Sequence, residues 1–362
     1  MASTTDKLIF KTGISLYRGL QPNEYSIGTL RKRITLWSAS APAIFGVLKA
    51  GASRSEIATS FGVSNFELSQ LLEQLHLCSF FQTQTSAIEI SERSAKDRDH
   101  SKDASFARIK ERISPELTLA RWLPQVLDSG ISIVSARQSA HIEISGSSRA
   151  AQHLFAALVA SGVIHTQFAP SHRRGKELVS ELDVTGGYIS ATDIGQVFTT
   201  VSANKAKSLA LFPLANLESA EELPQGFTEK SLKIHFGEID PVILGLWMAS
   251  GQEHLIISEI SGGCLTISPI VKPGQTPCSR CFELTIADQS GATLLDSAKC
   301  RDEIPIAGAN YLAGLLAAEI IKLIDTGSST LSTQAISVDL LDLCNTKHIA
   351  VTPHPMCGCG WL

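Results

Sequence analysis

The last quarter of the chain holds two close cysteine pairs, Cys278-Ser279-Arg280-Cys281 and Cys357-Gly358-Cys359, and no other feature limits the fold as much. A tetrahedral zinc ion accepts four thiolates and brings no redox chemistry of its own, so two pairs on separate turns can converge on one ion. The C-terminal tail must then return to the loop that carries Cys278. A closed four-sulfur shell leaves no open position for water or substrate, which makes such a site a structural clamp. A reactive Cys-x-x-Cys pair and unpaired thiols are the competing readings. His354, within Pro353-His354-Pro355-Met356, could replace one ligand, although four cysteines already suffice.

The remaining cysteines, Cys78, Cys264, Cys300 and Cys344, lack partners at ligand spacing. Cys264 and Cys344 sit in apolar settings and read as core. Cys300 lies between Lys299 and Arg301, where neighbouring cations favour a thiolate.

With 44% hydrophobic and 18% charged residues over 362 positions, the chain can bury a large core, and wholesale disorder is excluded. Its 31 Lys and Arg against 35 Asp and Glu give a net charge of −4, and the pI is about 6.2. That balance offers no electrostatic footprint for nucleic acid, so no nucleic-acid partner is expected. Asp6, Lys7 and Lys11 interrupt the place where a signal peptide needs an apolar core. The longest apolar run, Tyr311 to Ile324, carries Glu319 and Lys322 and falls short of the roughly 20 residues that cross a bilayer. A cytoplasmic protein without a membrane partner is the expectation, and in that compartment eight cysteines point to metal or catalysis rather than to disulfides.

Residues 1–90 read as a small domain. Short strands are expected around Leu8 to Phe10 and Ile14 to Tyr17, with a turn at Gly28. Ser53 and Glu56 form a capping box that opens a helix ending at Gly62. Ser64 and Glu67 open a second one, whose Leu68, Leu71, Leu72 and Leu75 share one face. This helix-turn-helix, followed by a strand or wing at Phe80 and Phe81, suggests DNA binding at first. Residues 1–90, however, carry eight basic residues against six acids, and the second helix offers no Lys or Arg to phosphate. A winged helix used for packing or for capturing a peptide by strand addition fits better. Residues 91–114 form a charged linker, and residues 115–362 alternate apolar runs with helical segments, the pattern of an α/β domain.

Within that domain, His141 to Val163 has the strand–turn–helix order of a nucleotide-binding unit. Only Gly146 of the usual three glycines is present. Ser148 and Ala151 hold the other two positions, and no acidic residue directly follows the next strand, Val163 to Phe168. Gly146 and Arg149 are the candidate nucleotide contacts of this degenerate loop. Its second reading is a scaffold that no longer binds a nucleotide.

Taken together, Gly146 and its helix, the helix Ala307 to Ile324, Gly263 to Pro269, Pro273-Gly274-Gln275-Thr276-Pro277-Cys278 and the terminal cysteine pair resemble the ThiF-like family. This is the fold of ubiquitin-activating and sulfur-carrier-activating enzymes, and the resemblance runs from about Ile131 to the C-terminus. His254-Leu255 together with the run Pro273-Gly274-Gln275-Thr276-Pro277-Cys278 is most similar to a subgroup from thiazole/oxazole-modified peptide (bacteriocin) biosynthesis, which Ala191-Thr192-Asp193-Ile194-Gly195 also fits, less distinctively. The resemblance implies an α/β, Rossmann-type body with a zinc-clamped C-terminus held by Cys278, Cys281, Cys357 and Cys359. It also implies a preceding winged-helix domain that binds the leader of a ribosomal precursor peptide. The chain would then present the peptide to a YcaO-type cyclodehydratase, which uses ATP to form azoline rings, and would itself make no bonds. A homodimer through the body is also implied.

Adenylating members of the family use a Gly-rich loop, a ribose-binding acid, an Asn-x-x-Arg-Gln run and a magnesium aspartate, and none is recognisable here. The stretch Leu209 to Asn216, where that aspartate is expected after a strand, is apolar. Arg149, Arg173, Arg174 and Lys205 remain the candidate phosphate contacts. The expectation is therefore a scaffold with structural zinc and no bound ATP. The alternative is an ATP-dependent adenylyltransferase acting on a peptide carboxylate, and a third reading is a helix-turn-helix regulator with a ligand-sensing body.

Overall fold

The computed structural model describes residues 7–61, 65–82, 102–124, 126–146, 148–169, 178–213, 231–291 and 303–359. The chain divides into two compact units, one of residues 1–89 and 106–135 and the other of residues 90–105 and 136–362.

The N-terminal unit begins with β1 (Ile9–Phe10) and a three-stranded antiparallel sheet of β2 (Ser15–Arg18), β3 (Glu24–Gly28) and β4 (Arg33–Trp37). Helices α1 (Ala41–Ala50), α2 (Arg54–Phe61) and α3 (Asn65–Leu77) follow, then β5 (Phe81–Gln82), which pairs antiparallel with β1. The cap expected at Ser53 is present: Glu56 N–H donates to Ser53 Oγ at 3.3 Å, and Ser53 N–H donates to Glu56 Oε2 at 2.7 Å. Gly62 and Ser64 lie outside the described residues. Ile44, Leu48, Ile57, Leu68, Leu72 and Leu75 converge on Phe10 and Phe81, whose rings stack at 5.3 Å. The hairpin from β3 to β4 was not signalled by the strand pattern, because Arg31-Lys32-Arg33 hides its turn among charges.

The expected linker contains the start of α4 (Lys102–Ala120), which buries Ile109, Ile113 and Ala120 on one side. After α4 the chain is anchored by Lys11. This lysine is almost wholly buried, and its Nζ donates to the Arg121 carbonyl at 2.6 Å. Burial lowers its pKa, and nearby Asp128 opposes the shift.

After α5 (Ile131–Ala136), the second unit is built on a seven-stranded sheet in the order β12-β11-β10-β9-β8-β6-β7. The strands are β6 (His141–Gly146), β7 (His165–Phe168), β8 (Ser231–Phe236), β9 (Glu253–Ile257), β10 (Cys264–Ile267), β11 (Gln334–Asp339) and β12 (Lys347–Ala350). β7, β6, β8 and β9 run parallel, and β10 to β12 are antiparallel. The helices are α6 (Arg149–Ala160), α7 (Phe198–Leu209), α8 (Pro241–Ala249), α9 (Ser279–Ser290) and α10 (Ile306–Thr326). Leu154 and Leu158 of α6 and Leu312, Leu316 and Ile320 of α10 join Ile142, Ile144, Leu232 and Ile234 of the sheet in one core. A buried, bidentate pair, Arg137 to Asp325 with both bonds at 2.8 Å, ties the chain before β6 to the end of α10.

Helix α10 is longer than its apolar run suggested. By length and composition alone it could cross a membrane, but one face, including Leu312, Leu316 and Ile320, is buried in this core. The stretch from Leu209 is not preceded by a strand. Leu209 ends α7, and Ala210, Leu211 and Phe212 are buried, with Leu211 N–H donating to Val159 O at 3.3 Å. On the side of β6 away from β7 the parallel neighbour is β8, and the segment after it holds Glu238 and Asp240.

Candidate functional site

Two places carry the chemistry that the sequence singled out. The first is the cysteine cluster. Cys278 sits just before α9 and Cys281 in its first turn, both buried, and Gly358 at φ +62° turns the tail so that Cys357 and Cys359 face them. Sulfur–sulfur distances are 3.3 Å for Cys278–Cys357, 3.2 Å for Cys281–Cys359 and 3.8 Å for Cys278–Cys281. All four sulfurs lie within 4.8 Å of one another. Tetrahedral zinc with bonds of about 2.3 Å places its sulfurs about 3.8 Å apart, so the donor set and spacing fit that ion. Val271, Ala335 and Val351 pack against Cys278 and Cys281, while Cys357 and Cys359 are half-buried.

The thiols do not share one environment. Burial pushes Cys278 well above the usual thiol range. Burial also opposes ionisation of Cys281, but the His354 N–H, donating to its sulfur at 3.3 Å, and the neighbouring cysteines bring it down to about 7. His354 is not turned toward the cluster as a ligand. Its Nε2 pairs with Asp288 at 3.0 Å, and its Nδ1 accepts from Met356 N–H at 3.1 Å. Of the other cysteines, Cys264 and Cys78 are half-buried. Cys344, expected in the core, is exposed, because it follows the end of β11 in the turn toward β12. Cys300 lies outside the described residues.

The second place is the turn between β6 and α6. In open α/β sheets, ligands bind at the carboxyl ends of the strands where the strand order reverses, here between β6 and β8. Gly146 has φ +84°, and a Cβ there would lie 1.9 Å from the Phe236 carbonyl oxygen. Only glycine allows this approach of β6 to β8. Ser148 caps α6 by accepting from Ala150 N–H at 3.2 Å. Arg149 donates to the carbonyls of Leu182 at 2.8 Å and Val184 at 3.2 Å. One turn on, buried Gln152 donates to Asp183 Oδ1 at 3.3 Å. The turn Glu181–Asp183 thus lies against the start of α6, where a phosphate would meet free N–H groups.

Two features here were missed. Ser180-x-x-Asp183 and Ser190-x-x-Asp193 are tandem capping boxes, legible as Ser-x-x-Asp signals, which shape the segment between β7 and α7. Lys205 is paired with Asp193 at 2.6 Å. Burial opposes ionisation of Asp193, but hydrogen bonds from Lys205 and Ser190 pull it down to about 2. The second feature is Ser145, whose hydroxyl meets His235 Nδ1 at 2.8 Å while His235 Nε2 donates to Glu238 O at 3.0 Å. Arg173 and Arg174 lie outside the described residues.

The fold is similar to that of several solved structures of the enzyme MccB. The microcin C7 biosynthetic enzyme MccB in complex with N-formylated MccA has a TM-score of 0.66 at 13% identity, over 98% of this chain and 99% of that one. E. coli MccB with succinimide gives 0.65 at 14% identity, over 98% and 99%. E. coli MccB with ATP gives 0.61 at 13% identity with the same coverage. At such identities the structural likeness shows the fold alone, a mixed α/β body with a parallel-stranded sheet. No protein-family model and no curated protein matches the chain. The ATP-bound relative gives no support to the expected absence of ATP here.

Proposed function

We propose that this chain is a non-catalytic scaffold of ribosomal peptide modification. Its N-terminal winged helix, residues 1–90, binds the leader of a precursor peptide, and the ThiF-like body presents the peptide to a YcaO-type cyclodehydratase for azoline formation. The observation that carries this reading is the closed start of α6. Ser148 caps the helix, and Arg149, the cation a phosphate would use, is committed to the Leu182 and Val184 carbonyls. Asp183 accepts from the Gln152 side chain of the same helix and from Ser180 N–H, so the turn Glu181–Asp183 is held beside the start of α6 by the chain's own contacts.

The solved complexes of MccB with MccA support a peptide as the partner. β2 and β4 are edge strands within their three-stranded sheet and offer an edge for strand addition. Zinc at Cys278, Cys281, Cys357 and Cys359 supplies only cross-linking when bound, since all four positions go to sulfur. The leader is tested by titrating the full chain with precursor peptide and with the same peptide lacking its leader. Binding that needs the leader supports the scaffold, and equal binding of both peptides overturns it.

The adenylyltransferase remains the second reading because Glu238 and Asp240 follow β8 at the reversal of strand order, where a magnesium carboxylate would be placed. Pyrophosphate exchange that depends on Asp240 would establish it.

A further inference from the structure

The second unit holds a cavity at the end of the sheet opposite the Gly146 turn. Ile142 and Leu232, at the amino ends of β6 and β8, form one wall, and Ile320, Leu323 and Ile324 in the last turns of α10 form the other. The helix stops before Gly327, which has φ +74° and also lines the cavity; a Cβ there would meet no atom within 4 Å. The cavity measures about 40 Å³, the room taken by about three or four non-hydrogen atoms. Walls of Ile and Leu give a water molecule nothing to bond to, so the space suits a short branched aliphatic group rather than solvent.

Two opposite charges complete the lining. Glu253 opens β9, Lys272 follows the bridge between Val271 and His254, and both side chains border the cavity. Lys272 Nζ stands 3.5 Å from Glu253 Oε1, and the two side chains are 25% and 33% exposed. That separation is longer than a hydrogen bond of good geometry, and neither charged group has a hydrogen-bond partner among the described residues. Each keeps bonding capacity for a ligand. Asp325, two residues before Gly327, is by contrast committed to Arg137.

A carboxylate and an ammonium side by side call for the reverse pair on the ligand. A fatty acid would engage Lys272 alone, and an alkylamine Glu253 alone. An α-amino acid carries both charges on one carbon, so its carboxylate meets Lys272 while its ammonium meets Glu253 and its side chain enters the cavity. We propose that this cavity is a binding site for a free α-amino acid with a branched aliphatic side chain, of the valine, leucine and isoleucine class. Glycine would leave the space empty, and an aromatic ring would overfill it. The site is built from the second unit alone and is independent of what the chain does at the Gly146 turn.

The test is calorimetric titration of the full zinc-loaded chain with L-valine, L-leucine and L-isoleucine. At least one of them is expected to bind once per chain with saturable heat at or below millimolar concentration. For leucine, the comparison ligands are 4-methylpentanoate and isopentylamine, which keep the branched chain and one charge each. Both are expected to bind more weakly by about tenfold or more, and glycine is expected not to bind. Glu253→Gln and Lys272→Met each remove one charge and should weaken the amino acid by a similar factor. Leu323→Phe fills the cavity with both charges in place and should abolish binding. No saturable heat with any of the three amino acids overturns the proposal. So does a singly charged analogue that binds as tightly as leucine, or amino-acid binding unchanged in Glu253→Gln and Lys272→Met. Circular dichroism identifies any variant that fails to fold, and the ligand series on the wild-type chain then decides alone.

Discussion

The cysteine cluster and the turn at Gly146 are both built from chain segments distant in sequence, yet their polar groups face opposite tasks. At the cluster, four sulfurs turn toward a common centre in an apolar shell, with little else of the chain competing for them. At the turn, Ser148, Arg149 and Gln152 are each engaged by the chain itself. The first arrangement offers four donors to one ion, and the polar groups of the second are taken up by the chain itself. A binding site is recognised by donors that remain unsatisfied, more than by the motif that brought them together.

This contrast can be broken at either side. The largest effect is expected at the cluster. Cys281→Ser, or chelation, should remove one zinc per chain by elemental analysis and lower stability by more than about 4 kcal/mol, read as a lost unfolding transition of the body. Retained stability after complete metal removal would make the cluster a surface convenience.

Gly146→Ala comes next. It combines a positive φ with the 1.9 Å approach to Phe236 O, and a cost of about 3 kcal/mol in denaturant unfolding is expected. A near-neutral result would mean that β6 and β8 can separate at the turn and leave room for a ligand. Arg149→Ala should cost about 1–2 kcal/mol by releasing two carbonyls, with no change in any nucleotide affinity. A loss of ATP affinity without a loss of stability would return Arg149 to the phosphate.

The smallest effect is a matter of pH. Asp193 ionises at about 2 in the folded chain against 3.8 when free, so its bonds to Lys205 and Ser190 stabilise fully above pH 4. That contribution fades as the pH falls toward 2, because the unfolded chain takes up the proton first. Asp193→Asn should flatten the stability profile between pH 4 and 2 and leave it parallel to wild type above.

Much of this was legible in residues, for reasons that are local. Ser53 and Glu56 announce their cap and Leu68, Leu72 and Leu75 their buried face because spacing alone decides each, while the two close cysteine pairs were legible through the donor chemistry of one four-thiolate ion. What depended on distant packing was not legible. The burial of Lys11 under the Arg121 carbonyl and the exposure of Cys344 depend on how distant segments pack, and the Ser145–His235 pair on which strand lies beside which. The carboxylates after β8 were missed for the same reason. The order of strands along the chain does not reveal that Ser231–Phe236 becomes the neighbour of β6.

The most direct measurement is a calorimetric titration of magnesium–ATP into the zinc-loaded full chain. A scaffold whose α6 terminus is filled by its own turn gives no saturable heat up to millimolar ATP. Stoichiometric binding at micromolar ATP would show that the turn at Glu181–Asp183 yields to a nucleotide, and the chain would then have to be read as an adenylating enzyme.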